Sequence, residues 1–161
     1  MLRFFDFDYT LCVHTMIVKE YMAGADYFKE CLTELTKQKD LYRGSRPLAC
    51  MQWYARKCHE QGDKLFCITH EIFNLRDKFK QDFIKQYYPP MQYLTVDTPE
   101  HKIDMIRAIA EKENVRLTKC ELVDDKIVTL NLAIASGIRG THVTEIVQQY
   151  QDSLDGKSDN K

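Results

Sequence analysis

Five short apolar runs alternate with helical patterns along the chain, and this alternation is the feature that most constrains its fold. The runs are Leu2–Phe7, Lys64–Thr69, Tyr93–Val96, Glu121–Val123 and Gly140–Val143. A strand, a helix and a second strand in the same direction form the repeating unit of a parallel sheet that is covered on both faces. The sequence therefore predicts a three-layered, Rossmann-like α/β domain with a mainly parallel five-stranded sheet.

The segments between these runs carry helical signals. Apolar residues at helical spacing predict one helix from Thr15 to about Lys39. Pro47 and the pair Thr98-Pro99 have the residue types that begin helices, and Gly62 fits the left-handed position after a helix. Further helices are predicted over about Ile72–Tyr87, Val128–Ser136 and Thr144–Leu154.

The helix predicted over Ile72–Tyr87 has two different sides. Its apolar side, which we expect to be buried, carries Ile72, Phe79, Phe83 and Tyr87. Its charged residues are typical of a solvated helix face and comprise the run Arg76-Asp77-Lys78 together with Lys80.

Length and composition limit the class of protein. The 161 residues suit a single domain, which we expect over residues 1–154, with a polar, disordered tail over residues 155–161. Lys plus Arg (23) nearly balances Asp plus Glu (24), so the net charge of −1 gives no electrostatic reason to expect a nucleic-acid or membrane partner. The six cysteines are scattered, without a C-x-x-C pair or a signal peptide, which favours reduced thiols in the cytoplasm.

Acidic residues lie at the ends of the first and the fourth apolar runs. Asp6 and Asp8 are two residues apart at the end of the first run, so their side chains can face one pocket, and Asp124-Asp125 ends the fourth run. Ligands of such sheets bind beyond the carboxyl ends of the strands. Several carboxylates share a small site only if a proton is retained or a cation enters, and ligands that are all oxygen favour Mg²⁺.

The second and third runs lead to groups that suit a phosphate. Thr69 offers a hydroxyl and backbone donors at a strand end, and Lys102 lies in the first turn of a helix, where the helix dipole already favours an anion. Each residue alone is more common as an ordinary strand or surface residue, and it is the ordered set of four groups that indicates a site. A cation, Thr69 and Lys102 would hold phosphate oxygens while one carboxylate attacks phosphorus.

In this order, the four groups resemble the motifs of the haloacid dehalogenase superfamily of hydrolases. The matching segments are Phe4-Phe5-Asp6-Phe7-Asp8-Tyr9-Thr10-Leu11 for the first motif, Phe66-Cys67-Ile68-Thr69 for the second, Lys102 for the third and Leu122-Val123-Asp124-Asp125 for the fourth. The resemblance spans about residues 2 to 144. One departure is Tyr9, which stands where many members have a small residue such as Gly.

The resemblance implies a phosphohydrolase of the phosphomonoesterase type. Asp6 would attack phosphorus and form an aspartyl-phosphate, and Asp8 would protonate the leaving oxygen and then activate water. Thr69, Lys102 and Thr10 would bind the substrate phosphate.

The same resemblance implies Mg²⁺ as cofactor and a cap over the site. Mg²⁺ would be held by the Asp6 carboxylate, the Asp8 backbone carbonyl and Asp125, with Asp124 nearby or linked through water. Family members insert a cap between the first two motifs, which here gives a small helical insert over about residues 12–46. The substrate and the oligomeric state do not follow from the sequence.

Two other functions fit part of the pattern. A non-catalytic interaction module with this fold would bind phosphate or metal without turnover, although such a site is expected to lose at least one acid. A phosphotransferase, or a phosphatase acting on nucleic-acid ends, is the other alternative. A phosphotransferase needs a positioning cap larger than the insert allows. A phosphatase acting on nucleic-acid ends needs a basic groove that the charge balance does not supply.

Overall fold

The structure is a computed structural model that describes residues 1–13, 44–70 and 77–156. In chain order, its strands are β1 (Leu2–Phe5), β2 (Cys12–Val13), β3 (Arg46–Pro47), β4 (Lys64–His70), β5 (Gln92–Val96), β6 (Cys120–Asp124) and β7 (Arg139–His142). Its helices are α1 (Ala49–Glu60), α2 (Asp77–Tyr87), α3 (His101–Lys112), α4 (Ile127–Ala135) and α5 (Val143–Leu154), with a 3₁₀ turn at Leu117–Lys119. None of the helices in the described ranges has the length and hydrophobicity of a membrane span.

The central sheet has five strands in the order β5-β4-β1-β6-β7, and all four neighbouring pairs are parallel. This confirms the predicted α/β architecture. The chain runs outward from β1 through β4 to β5 and then crosses back to form β6 and β7 on the other side of β1. Because the direction of winding reverses at β1, the crevice for a ligand is expected beyond the carboxyl end of that strand.

Alternate residues of the buried strands build two cores, one on each face of the sheet. Phe4 packs in the core that includes Ile106 of α3 and Ala133 of α4, and the next residue, Phe5, packs in the core that includes Met51 of α1 and Ile146 of α5. Successive side chains of a strand point to opposite faces, so a four-residue strand that is buried throughout must be covered on both sides, and β1 carries one apolar face and a second face that combines Phe5 with the buried Arg3. This places β1 in the middle of the domain.

Two of three predicted element boundaries differ from the structure. Pro47 does not begin a helix but pairs with Cys12 in a short antiparallel ladder between β2 and β3, and α1 begins at Ala49. Thr98-Pro99 also lies outside a helix, because α3 begins at His101 with Glu100 as its N-cap. Gly62 does have a left-handed φ of 80° after α1, as predicted.

Helix α2 buries only part of the side that was predicted, because Phe83 and Tyr87 pack against the core but Phe79 does not. Phe79 is 53% exposed, whereas Ile84 and Lys80 are 3% and 1% exposed. Phe83 packs only partly buried against the core. The helix predicted from Thr15 to Lys39 lies outside the described residues, as do residues 72–76 and the end of the tail.

A buried polar network crosses the sheet between β1 and β6. The Arg3 Nη1 atom donates to Glu121 Oε2, and Arg3 Nε donates to Asp63 Oδ2 at 2.7 Å. Glu121, which is 2% exposed, also accepts hydrogen bonds from Tyr54 Oη at 2.7 Å and from Thr141 Oγ1 at 2.6 Å. The Glu121 carboxylate is tolerated inside the sheet because each of its oxygens has a donor.

We expect Arg3→Met to destabilise the fold by about 3–5 kcal/mol, because it leaves the buried Glu121 carboxylate with only the more distant and largely exposed Arg139 as a cation. Combining it with Glu121→Gln should recover part of this loss, since a neutral amide is less costly to bury. The matched control is Lys64→Met, which breaks the exposed pair with Glu113 and should cost less than about 1 kcal/mol. Urea unfolding of the four chains measures the differences, and equal losses for Arg3→Met and Lys64→Met would contradict the prediction.

Candidate active site

The chain turns back on itself directly after β1. The Asp6 amide donates to the Val123 carbonyl at 2.9 Å, which extends the pairing of β1 with β6 by one residue. The amides of Leu11 and Cys12 then both donate to the Phe7 carbonyl, at 2.9 and 3.0 Å. This closed turn fixes Asp6 at the carboxyl end of the central strand.

Tyr9 lies within this turn and has a left-handed φ of 61°. A side chain in this conformation costs roughly 1–2 kcal/mol relative to the right-handed regions. The family resemblance places a small residue such as Gly at this position, and the backbone conformation explains that preference. The Asp8 side chain, which directly precedes Tyr9, is 36% exposed. It is more accessible to solvent than the side chains of Asp6 and Asp124.

Lys102 lies between two buried carboxylates. Its Nζ atom donates to Asp6 Oδ1 at 2.6 Å and to Asp124 Oδ2 at 2.8 Å. The side chain comes from the first turn of α3, and it is only 4% exposed. One ammonium group thus joins the ends of β1 and β6, and the role of Lys102 in binding phosphate stays a prediction.

Asp124 and Asp125 have different environments. Both oxygens of Asp124 are occupied, because Oδ2 accepts from Lys102 and Oδ1 accepts from the Lys126 amide at 2.8 Å. Asp125 Oδ1 is buried and, among the described residues, has no hydrogen-bond partner. The backbone of Asp125 is held by His142, whose Nε2 atom lies 2.9 Å from the Asp125 carbonyl oxygen.

Asp6, Asp124 and Asp125 form an acidic cluster that could hold a cation. One carboxylate oxygen from each lies within 4.8 Å of the others. Oxygen ligands at this separation suit Mg²⁺ or Ca²⁺ rather than zinc, which prefers nitrogen and sulfur. The unpartnered Oδ1 atom of Asp125 fits the same role, since a buried carboxylate oxygen requires a donor or a cation.

The acidic cluster carries more negative charge than Lys102 neutralises. Burial raises the pKa of Asp6 to about 7, with the charge of Asp124 adding to the rise and Lys102 opposing it. Burial also raises the pKa of Asp125, and Asp124 again adds to it. Burial alone would lower the pKa of Lys102, but Asp6 and Asp124 raise it above its ordinary value. A bound cation would favour the ionised form of the acids.

Thr69 contacts a second buried lysine, which was not among the site residues predicted from the sequence. Lys80 of α2 donates from Nζ to Thr69 Oγ1 at 2.8 Å and to Asp8 Oδ2 at 3.0 Å. Its Nζ atom lies 5.2 Å from the centre of the Phe7 ring. The prediction that Lys80 belongs to a solvated helix face is therefore wrong.

The remaining predicted site residue, Thr10, lies within the turn after Asp8. It is fully buried, and within the described ranges its Oγ1 atom has no hydrogen-bond partner. Its role in binding phosphate stays a prediction. The structure joins Asp6, Lys102 and Asp124 in one set of hydrogen bonds and joins Asp8, Thr69 and Lys80 in another.

Comparison with known proteins gives matches only at the level of structure. No family model matches the chain, and no curated protein matches it. A structure described as a haloacid dehalogenase-like hydrolase from Bacteroides fragilis has a TM-score of 0.60 and 14% identity, covering 88% of this chain and 86% of that one. A hydrolase from Streptococcus pneumoniae TIGR4 also has a TM-score of 0.60 and 14% identity, covering 96% of this chain and 97% of that one.

A phosphoserine phosphatase, solved as an analogue of its phospho-aspartyl intermediate, has a TM-score of 0.56 and 14% identity, with 90% of each chain covered. These neighbours match nearly the whole length of the chain, so the likeness is not confined to one βα unit. At such low identity the likeness concerns the fold. The chain therefore has the fold of the haloacid dehalogenase-like hydrolases and phosphatases.

Proposed function

We propose that this protein is a Mg²⁺-dependent phosphomonoesterase that forms an aspartyl-phosphate on Asp6. The observation that carries the proposal is the contact of Lys102 with both Asp6 and Asp124, at 2.6 and 2.8 Å, beside the acidic cluster. These groups come from three separate elements and meet at the one sheet edge where such folds bind ligands. Burying several charged groups together costs free energy, and such a set is more typical of a functional site than of a structural one.

Asp6 is the nucleophile in this proposal. One of its oxygens, Oδ1, accepts a hydrogen bond from Lys102, which keeps the carboxylate ionised in part and fixes its orientation. The other oxygen would attack phosphorus as the bond from phosphorus to the leaving oxygen breaks. Lys102, Thr69 and Thr10 would bind phosphoryl oxygens, where positive charge and hydroxyl donors stabilise the transition state.

Asp8 is the proton donor and acceptor. Its side chain is more exposed than that of Asp6, at 36% against 9%, so it can reach a leaving group that enters from solvent. It would give a proton to the leaving oxygen in the first step. In the second step it would take a proton from water, which attacks the phosphorus of the aspartyl-phosphate and releases Asp6 and inorganic phosphate.

Mg²⁺ is the proposed cofactor, held by the Asp6 carboxylate, the Asp8 backbone carbonyl and Asp125. When bound, it would neutralise charge on the phosphoryl oxygens. Asp124 is better suited to orient Lys102 than to bind the ion, because both of its oxygens already accept hydrogen bonds from the protein. Asp125, with its unpartnered buried oxygen, is the better ligand.

The proposed setting is the cytoplasm, with one phosphorylated substrate whose identity stays open. Cys12, Cys50, Cys58, Cys67 and Cys120 are all free and buried, which is consistent with a reducing compartment. The phosphoserine phosphatase among the structural neighbours supports the aspartyl-phosphate step, since that structure mimics such an intermediate. The proposal of a small cap over residues 12–46, within a single domain over residues 1–154, rests on the family resemblance.

We expect Asp6→Asn to lower the Mg²⁺-dependent hydrolysis of p-nitrophenyl phosphate by at least about 1,000-fold, because an amide cannot form the aspartyl-phosphate. The matched control is Asp104→Asn on α3, whose side chain is 70% exposed and far less constrained. Activity and melting temperature would be measured for both variants.

Full activity in Asp6→Asn would remove Asp6 from the reaction. Binding of phosphate by a wild-type chain that hydrolyses no ester would instead favour the non-catalytic module.

We also expect Mg²⁺ to raise the melting temperature, because a cation offsets the repulsion within the acidic cluster. At 100 times the dissociation constant the stabilisation is about 2.7 kcal/mol, which corresponds to roughly 5–10 °C for a chain of this size. Asp125→Asn should lose most of this shift, whereas Asp104→Asn should keep it. An equal shift in the two variants would contradict the assignment of Asp125 as a ligand.

A further inference from the structure

Among the described residues that lie outside the four motifs, Lys80 has the most deeply buried cationic side chain. It is 1% exposed, and its ammonium group contacts two residues with roles in the proposed reaction, Thr69 and Asp8. Burying an ammonium group is costly unless hydrogen bonds and a counter-charge compensate for lost water. Such a cost at the edge of the active site calls for a functional explanation.

The contact with Thr69 sets the direction of that hydroxyl. An ammonium group has three donors and no acceptor, so Thr69 Oγ1 must be the acceptor in its 2.8 Å hydrogen bond with Lys80. The hydroxyl proton of Thr69 must therefore point to a different atom. A phosphoryl oxygen bound at this strand end would be an acceptor for it. Lys80 thus makes Thr69 a donor toward the substrate.

The contact with Asp8 fixes one side of that carboxylate. Lys80 holds Oδ2 at 3.0 Å, and the Lys80 side chain is 2% exposed while the Asp8 side chain is 36% exposed. The lysine therefore lies behind the carboxylate as seen from solvent.

Each of the two lysines contacts a different pair of the proposed site residues. Lys102 contacts Asp6 and Asp124, and Lys80 contacts Asp8 and Thr69, with no shared partner among these hydrogen bonds. Lys102 links β1 to β6, and Lys80 links the turn after β1 to the end of β4. Each lysine comes from a helix that covers the sheet, so each fixes the relative positions of the two groups that it contacts.

We propose that Lys80 is a positioning residue, which directs the Thr69 hydroxyl toward the phosphoryl group and orients Asp8 for proton transfer to the leaving oxygen. This inference rests on the proposed function and assigns a role within it to a residue outside the four motifs.

The test compares Lys80→Met with wild type on two phosphate monoesters that the wild-type chain hydrolyses. One is p-nitrophenyl phosphate, whose leaving group needs no proton, and the other is an alkyl phosphate, whose leaving oxygen does. We expect kcat/KM for the alkyl ester to fall by about 10- to 100-fold, as when a group that orients a site residue is removed. The loss for the aryl ester should be clearly smaller.

A second readout separates positioning from a general structural effect. If Lys80 acts through Thr69, the losses in kcat/KM for Lys80→Met and Thr69→Val should be less than additive in the double variant. The matched control is Lys78→Met on the same helix, whose side chain is 87% exposed, and it should leave both esters unaffected. If Lys80→Met does not fold, Lys80→Gln replaces it, with the same ratio between esters expected.

The proposal is overturned if the loss is equal for the two esters and additive with Thr69→Val, or if kcat/KM stays within about twofold of wild type. A wild-type chain that hydrolyses neither ester, or an Asp6→Asn variant that stays active, would count against the proposed function and not against Lys80 alone.

Discussion

Compensation of buried negative charge is the constraint on which the rest of this structure depends. Carboxylates collect at the carboxyl edge of the sheet, and two of them, Asp6 and Asp124, are almost inaccessible to water. They can be buried there only because Lys102 reaches them from the first turn of α3. The position of that helix against the sheet is therefore fixed by charge as well as by its apolar residues, Ile103 and Ile106.

The sequence was sufficient to predict most of the fold and the part of the site that follows strand ends. Parallel strands bring their carboxyl ends to one edge, so Asp6, Thr69 and Asp124 could be placed together from the order of elements alone. Lys102 could be placed at the same edge because it lies in the first turn of a predicted helix. Exact helix starts were less predictable, as Thr98 and Pro47 illustrate, because a nearby strand pairing or a tertiary contact decides between several plausible first residues.

Lys80 could not be found from the sequence for a specific physical reason. A lysine on a helix rich in charge is almost always solvated, and the apolar stripe through Phe79 pointed to a different buried side. The actual side is one residue further round and carries Lys80 and Ile84, four positions apart. The counter-charge of Asp8 and the hydroxyl of Thr69 compensate for the burial of Lys80, and both come from other elements of the fold.

The short ladder between β2 and β3 has a consequence for how this fold can diversify. By pairing Cys12 with Pro47, it brings the two ends of the intervening chain side by side, and Cys12 also forms a bridge with Asp8. When the ends of a chain segment are already held together, each doubling of its length adds only about 0.6 kcal/mol of closure entropy. The length of chain between β2 and β3 could thus change during evolution at little cost in free energy, while the positions of Asp6, Lys102 and Asp124 stay unaltered.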